Sequence, residues 1–153
     1  MIRVERDPAF WAAVAGHPAL AGAMMGLSPE AVGLIARRPD VLPVASAHGG
    51  FFFARADALG FVAELHTLYT PEGWGREVLT AGIAALNLVW LCGYQALTTF
   101  EVEANPRSRP PRTFGFIQAG DWRETPFGAL RLWTLSRAAW EASPANRRNS
   151  TCH

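Results

Sequence analysis

The stretch YTPEGWGREVLTA, from Tyr69 to Ala81, decides how this chain is interpreted. An apolar, strand-like run precedes it at residues 61–68, and an apolar run typical of a helix follows it at residues 81–91. A strand that passes through a glycine-containing turn into a helix directs free backbone N–H groups, and the positive end of the helix dipole, at one place. A pyrophosphate is a suitable ligand there. The stretch therefore predicts a site for a phosphate-bearing cofactor near the middle of the chain.

Length and composition indicate a folded globular protein with one core. The chain has 153 residues, half of them hydrophobic and 18% charged, which is unlike a disordered chain. Its formal net charge of +1 gives no general electrostatic reason to expect binding to nucleic acid or to an anionic membrane. We therefore expect neither partner.

Two cysteines, Cys92 and Cys152, are too few for a disulfide framework or a cysteine-based metal cluster, and we expect no metal site. They fit a reducing, cytoplasmic compartment. The first residues, MIRVERDPAF, lack the long apolar stretch of a signal peptide, and no apolar run reaches membrane-spanning length. The sequence thus predicts a cytoplasmic protein.

The order of predicted elements is β-α-α-β-β-β-α-β-(α)-β-β. Asp7-Pro8 and Ser28-Pro29 are helix starts, because each pairs an N-cap side chain with a proline at the first helical position. A hairpin is predicted over residues 41–54 with its turn at residues 48–50, and a long helix over residues 75–92. A proline-rich connector at residues 105–114 leads to two final strands, at residues 116–123 and 130–137. This order predicts a mixed α/β or α+β domain around one sheet.

One domain is expected over residues 1–142. The remaining residues, 143–153, read SPANRRNSTCH and are polar, so we expect a flexible tail.

Three short motifs resemble those of the GNAT family of N-acetyltransferases. PEGWGR at residues 71–76 is similar to the Pro-Glu-x-Arg-Gly-Arg/Lys loop that precedes the family's pyrophosphate-binding helix. Asn105, just after the fifth predicted strand, stands where the family has an Asn. RTFGF at residues 112–116 resembles the family's (Lys/Arg)-x-Leu-Gly-Phe signature. Together with the element order, the resemblance covers residues 41–137. A narrower resemblance, to small acetyltransferase-like proteins of phages and prophages, comes from Glu64-x-His66, the Trp-Gly-Arg turn and His17-Pro18.

The resemblance implies a mixed, bent sheet of six to seven strands flanked by helices. It also implies acetyl-CoA as co-substrate, in a cleft where the fourth and fifth strands splay, with its pantetheine paired to the backbone near the end of the fourth strand. The cofactor-binding residues implied in this way are Leu68, Tyr69, Thr70, Trp74, Gly75, Arg76, Glu77, Val78 and Asn105.

Two registers are possible for the family's phosphate loop, (Arg/Gln)-x-x-Gly-x-(Gly/Ala). Anchored on Pro71, the loop corresponds to residues 74–79, and both small positions then carry side chains. This register also places the carboxylate of Glu77 near the pyrophosphate unless the side chain points outward. Anchored on glycines, the loop starts at Thr70 and uses Gly73 and Gly75, but it loses the leading Arg. We favour the first register because it keeps Pro-Glu and Gly-Arg together.

Glu64 and His66 are the predicted catalytic residues. They are two apart on a strand and therefore share a face. If that face lines the cleft, either side chain could take the proton of an attacking amine. The alternative is a polar pair on an exposed face. Glu101 and Glu103 are further candidate bases, although a solvated strand face is expected for both.

A departure from the family concerns the acid that protonates the leaving thiolate. The family often has a Tyr four residues before the Gly of its Leu-Gly-Phe signature, and this chain has Pro111 there. We therefore expect transfer of an acetyl group from acetyl-CoA to a primary amine, of a small molecule or a protein, by a monomer or homodimer. The first alternative is a weak or inactive binding or structural protein with the same fold. A second alternative is a nucleic-acid or host-protein-binding module that uses Arg107, Arg109 and Arg112.

Overall fold

A computed structural model describes the backbone of residues 1–150 and the side chains of residues 1–148. Eight strands occur in these residues: β1 (Arg3–Val4), β2 (Val41–Ala45), β3 (Gly49–Arg55), β4 (Val62–Tyr69), β5 (Ala96–Val102), β6 (Ile117–Gln118), β7 (Arg123–Thr125) and β8 (Gly128–Ser136). Five α-helices accompany them: α1 (Pro8–Ala15), α2 (Pro29–Ile35), α3 (Arg76–Leu91), α4 (Arg137–Glu141) and α5 (Pro144–Ser150). Short 3₁₀ helices cover Pro18–Leu20, Pro71–Gly73, Pro106–Ser108 and Arg112–Phe114.

The strands form one mixed sheet in the order β1-β2-β3-β4-β5-β8-β6, and β7 also pairs with β8. β4 and β5 run parallel, with Val62, Ala63 and Glu64 opposite Ala96, Leu97 and Thr98. The ladders β1–β2, β2–β3, β5–β8, β6–β8 and β7–β8 are antiparallel. The predicted mixed sheet flanked by helices is confirmed.

The strand count of six to seven was too low by at least one. Residues 116–123, predicted as one strand, instead contain β6 and only the first residue of β7. The reason is local: residues 119–122, Ala-Gly-Asp-Trp, lie outside both strands, and Gly and Asp are poor strand formers. The final strand, β8, is close to the predicted one.

The hairpin turn also lies earlier than predicted. β3 begins at Gly49, and the Ser46 N–H donates to the Gly49 carbonyl at 2.8 Å, so residues 46–48 form the turn. Gly49 and Gly50 are strand residues because the neighbouring backbone comes very close. A Cβ on Gly49 would overlap the carbonyl oxygen of Leu68, and one on Gly50 would overlap that of Val44.

The chain folds into two compact units, and β4 passes from one into the other. The first unit comprises Met1–Arg55 and Leu65–Val89. Its core is built around Trp11, which is fully buried and lies 4.2 Å from Phe52 between ring centroids. Both predicted helix starts are confirmed here, since Asp7 accepts from the Ala9 N–H and Ser28 from the Ala31 N–H.

The second unit comprises Ala56–Glu64 and the chain from Trp90 onward. Leu97, Trp133 and Leu135 are buried in it, and Phe114 packs edge-on against Trp140 with ring centroids 5.5 Å apart. The domain boundary near residue 142 stays a prediction.

The segment predicted as a flexible tail contains α5 up to Ser150. Ser143 is buried, and its hydroxyl accepts from the Asn146 N–H at 3.2 Å at the start of this helix. The flexibility of the segment stays a prediction, and residues 151–153 lie outside the described residues. Within residues 1–150, no helix is both long and apolar enough to cross a membrane.

Candidate functional site

The predicted strand–turn–helix lies in the first unit. β4 ends at Tyr69, a short 3₁₀ turn covers Pro71–Gly73, and α3 starts at Arg76. The Leu79 N–H donates to the Gly75 carbonyl at 3.2 Å. The N–H groups of Arg76, Glu77 and Val78 therefore come before this hydrogen bond and have no carbonyl four residues back within the helix. They lie where the sequence predicts a phosphate group.

Gly73 and Gly75 have different structural roles in the loop. Gly73 is buried, and a Cβ there would lie 2.5 Å from the Tyr69 ring and 3.0 Å from the Cβ of His48. Gly75 is exposed, has φ +94°, and would place a Cβ in open space. The indole N–H of Trp74 donates to the Tyr69 carbonyl at 3.2 Å and ties the loop to the end of β4. Gly73 thus allows the loop to pack closely against Tyr69 and His48, and Gly75 allows the backbone to turn into the helix.

The carboxylate of Glu77 is bound to the β2–β3 turn. Its Oε1 accepts from the Ser46 hydroxyl at 2.7 Å and from the His48 backbone N–H at 3.0 Å. Its Oε2 lies 2.7 Å from the Nδ1 of His48. Burial alone would raise the pKa of the Glu77 carboxyl, but the hydrogen bonds from His48 and Ser46 outweigh it and lower the pKa to about 2. Glu77 is therefore ionised, and His48 Nδ1 carries a proton toward it.

Tyr69 extends this network into the core. Its hydroxyl lies 2.9 Å from the Ser46 hydroxyl, and the residue is almost completely buried. Because the Ser46 hydroxyl donates its proton to Glu77, it accepts from Tyr69. Burial raises the pKa of Tyr69 to about 12, with a smaller contribution from the charge of Glu77 and an opposing one from the Ser46 hydrogen bond. A chain of hydrogen bonds thus runs from Tyr69 through Ser46 to Oε1 of Glu77, and His48 contacts the other carboxylate oxygen, Oε2.

The arrangement is not that of a serine nucleophile with its base. In such a triad the imidazole contacts the hydroxyl, whereas here the carboxylate lies between Ser46 and His48. Glu77 instead fixes the imidazole of His48 through Nδ1, and the His48 side chain is 48% exposed.

A second pair of polar side chains, Glu72 and His17, lies beside the loop. Glu72, in the loop, has its pKa lowered by a hydrogen bond from Thr70 and, to a smaller extent, by the charges of His17 and His48. The Nε2 of His17 is 3.9 Å from Glu72 Oε1. The backbone N–H of Thr70 donates to the His48 carbonyl at 3.0 Å. The backbone N–H of Thr70 therefore already has a hydrogen-bond acceptor within the protein.

The structure divides the predicted site residues between the two units. The first unit holds His66, which is exposed, the buried Leu68 and Tyr69, and the loop and helix residues Thr70, Trp74, Gly75, Arg76, Glu77 and Val78. Glu64, half-buried on β4, belongs to the second unit. So does Asn105, whose side chain accepts from the Arg107 N–H at 3.2 Å and caps a 3₁₀ turn.

Glu101 corrects one expectation, because it is not on a solvated face. It is 7% exposed, and its Oε2 accepts from Trp133 Nε1 at 2.7 Å and from Arg131 Nη2 at 2.8 Å. Glu103, two residues further, is exposed as expected. A carboxylate that accepts hydrogen bonds from a half-buried arginine and a buried indole is a structural group rather than a free base.

Sequence reasoning missed Ser46 and His48. They are the only polar side chains between Val41 and Phe53, an otherwise apolar hairpin. Two polar residues two apart at such a turn are the signal that could have indicated a site. Their partner, Glu77, is 29 to 31 residues away, so the sequence did not indicate the pairing.

No protein-family model matches the chain, and no curated protein matches it in sequence. Solved structures do match. Spermidine N-acetyltransferase from Vibrio cholerae, in complex with CoA and spermine, is similar with a TM-score of 0.72 and 14% identity, over 92% of this chain and 96% of that one. Aminoglycoside acetyltransferase AAC(6')-Ib, in complex with coenzyme A and kanamycin, gives a TM-score of 0.69 at 16% identity, over 93% and 97% of the two chains. The chain has the fold of these acetyltransferases, which confirms the predicted fold.

Proposed function

We propose that this protein transfers the acetyl group of acetyl-CoA to a primary amine. The observation that carries the proposal is the β4–loop–α3 unit, with Gly75 at φ +94° and the first-turn N–H groups of α3, in a chain with an acetyltransferase fold. Both solved structures described above contain CoA together with an amine-bearing molecule. Fold alone does not determine activity, so the residues of the loop carry the argument.

The residues of the loop fit a diphosphate. The space beside Gly75 is open, and no Cβ occupies it. The N–H groups of Arg76, Glu77 and Val78 and the positive end of the helix dipole favour an anion there. The negative charge of Glu77 would oppose an anion at this position. Its carboxylate is engaged by hydrogen bonds from Ser46 and His48 in the β2–β3 turn. In this proposal Trp74 and Arg76 flank the diphosphate, and the pantetheine follows the backbone of Leu68 and Tyr69.

The chemistry proposed is direct attack by a neutral amine on the thioester carbon. The new bond is C–N, the bond broken is C–S, and the amine proton passes to a base. His66 is the first candidate for that base, because it is an exposed imidazole on β4, and Glu64 is the second. The leaving thiolate takes its proton from water or from another donor, since Pro111 stands at the position of the family's acid.

A test starts with binding. Acetyl-CoA at a hundredfold its Kd should stabilise the folded protein by about 2.7 kcal/mol, which is a shift of several degrees in Tm. Thiol release with polyamines, amino acids and lysine peptides then measures turnover. Absence of both a thermal shift and a calorimetric heat at millimolar acetyl-CoA would overturn the proposal.

A second candidate function is binding without turnover. Pro111 favours it, because a proline side chain cannot donate a proton to the thiolate. If acetyl-CoA binds and no amine on the panel is acetylated, this second function becomes the better one.

A further inference from the structure

One face of the sheet in the second unit is only partly covered. Residues directly opposite one another on neighbouring strands share a face. One row on this face crosses four strands and consists of Glu64, Thr98, Thr134 and Ile117. It brings one carboxylate, two hydroxyl groups and one apolar side chain together on the same side of the sheet.

An apolar surface continues from this row along β5 and β8. The second row pairs Phe100 with Leu132, and the third consists of Val102, Leu130 and Arg123. Phe100 is 38% exposed and Ile117, in the first row, is 65% exposed. The aliphatic side chains of the second and third rows are half-buried. We call these three rows the open face.

The opposite face of the same strands is closed. Leu97, Trp133 and Leu135 alternate with residues of the open face along β5 and β8, and all three are buried. The sheet of the second unit therefore has one side that is packed within the protein and one side with large apolar groups in contact with water. Contiguous exposed apolar groups of this kind are typical of binding surfaces.

We propose that the open face binds the acyl acceptor, and that the acceptor is a primary amine on an alkyl or aryl-alkyl chain without a second positive charge. The inference rests on the proposed function. The carboxylate of Glu64 complements the charge of an ammonium group, and Phe100 and Leu132 give the chain an apolar surface on which to leave water.

The spacing of the strands sets the size of this acceptor. Thr98 lies directly opposite Glu64, and Phe100 is two residues further along β5. Because neighbouring strands are about 4.8 Å apart and rise about 3.3 Å per residue, the backbones of Glu64 and Phe100 are about 8 Å apart. A straight chain of about six carbon atoms has a comparable length. An amine of that size can therefore contact the carboxylate and the ring together.

The charges on the open face favour a monoamine over a polyamine. Among the residues that the ladders place on this face, Glu64 carries the negative charge and Arg123, opposite Leu130, a positive one. A second ammonium group on the acceptor would lie over Leu132 or toward Arg123, where it would lose water without gaining a carboxylate from this face. A chain that ends in a methyl group or a ring does not incur this cost.

The experiment compares two acceptors with the same carbon chain, hexylamine and 1,6-diaminohexane. The second differs only by a further amino group on the terminal carbon. Thiol release at saturating acetyl-CoA measures kcat/KM for each. We expect kcat/KM to be at least about tenfold higher for hexylamine.

Three variants test whether the open face makes the contact. Phe100→Ala removes the ring, so KM for hexylamine should rise about five- to tenfold, whereas kcat/KM for 1,6-diaminohexane should change less than about twofold. Phe100→Leu keeps an apolar side chain and should retain the preference for hexylamine. Leu91→Ala, 83% exposed in the same unit but on α3, is the matched control and should leave both substrates unaffected. An unchanged Kd for acetyl-CoA in all three shows that they are folded.

Two results would show that the inference is wrong while an amine is still acetylated, so that the proposed function stands. One is acetylation of 1,6-diaminohexane as efficient as that of hexylamine, or of other amines when neither of these two reacts. The other is the same KM for hexylamine in Phe100→Ala as in Leu91→Ala. If acetyl-CoA binds and no amine is acetylated, the proposed function and this inference fail together.

Discussion

Trp133 on β8 donates its indole N–H to the Oε2 of Glu101 on β5 at 2.7 Å, inside the second unit. Arg131 donates to the same oxygen from Nε at 3.1 Å and from Nη2 at 2.8 Å. The guanidinium of Arg131 also lies over the ring of Trp122, 4.3 Å from its centroid. One buried carboxylate therefore fixes an indole and a guanidinium that in turn covers a second indole.

Glu101→Gln should destabilise the fold. The substitution removes the charge that compensates Arg131, whose side chain is only 16% exposed. We expect the free energy of unfolding in urea to fall by about 2–4 kcal/mol. Glu103→Gln, in the turn directly after β5 and exposed, is the control and should change the free energy of unfolding by no more than about 0.5 kcal/mol. Unchanged stability with lost turnover would instead make Glu101 a catalytic base.

Gly75→Ala should reduce acetyl-CoA affinity in a protein that still folds. An L-residue at φ +94° costs about 1–2 kcal/mol, and the new methyl group meets no protein atom within 4 Å. It does enter the space assigned to the diphosphate, so we expect the Kd to rise at least about fivefold. Gly22→Ala, also in open space but far along the chain from the loop, is the control. Full affinity in Gly75→Ala would argue that the phosphates approach the chain elsewhere.

The stability of the protein should fall in acid because of Glu77. The folded-state pKa of about 2 lies below that of an unfolded glutamate, so the folded state binds fewer protons. The stabilisation is complete above about pH 5 and is lost as the pH falls toward about 2. Between about pH 5 and about pH 2, the free energy of unfolding of the wild type should therefore fall by about 1–3 kcal/mol more than that of Glu77→Gln. Unfolding in urea at several pH values measures both. Parallel curves for wild type and variant would contradict the assignment.

Turnover should depend on the β4 bases. A general base contributes about a hundred- to ten-thousandfold to a rate. For any accepted amine, His66→Ala or Glu64→Gln should therefore lower kcat at least about tenfold while the Kd for acetyl-CoA stays nearly constant. Thiol release under saturating acetyl-CoA measures kcat, and calorimetry measures the Kd. Wild-type rates in both variants would move the search to Glu103.

The elements that the sequence predicted well depend on neighbours along the chain. Asp7-Pro8 and Ser28-Pro29 start helices because cap and first turn are adjacent, and the long α3 follows from a continuous apolar pattern. The hairpin turn was misplaced because Gly49 and Gly50 resemble turn residues. Their presence instead results from close contact with β2 and β4, which a single stretch of sequence does not indicate.

The candidate site could be predicted only in part for the same reason. The loop and the helix start are contiguous, so residues 69–78 could be predicted together as the turn between a strand and a helix. The environment of Glu77 depends on Ser46 and His48, and that of Glu101 on Arg131 and Trp133, across separations of 29 to 32 residues. Such pairings depend on strand register and on where a turn meets a helix, so burial and charge state became visible only in the folded chain.

Gly49 and Gly50 have a consequence for how mutations in this chain would be interpreted. Any larger residue at either position would collide with backbone on a neighbouring strand, so a saturation scan would score both as intolerant. A screen that measures acetylation activity alone would therefore group them with residues that take part in the reaction, although glycine has no side chain that could do so. A scan that reports protein abundance together with activity would separate the two glycines, which fail in both measurements, from residues that take part in the reaction and fail in activity alone.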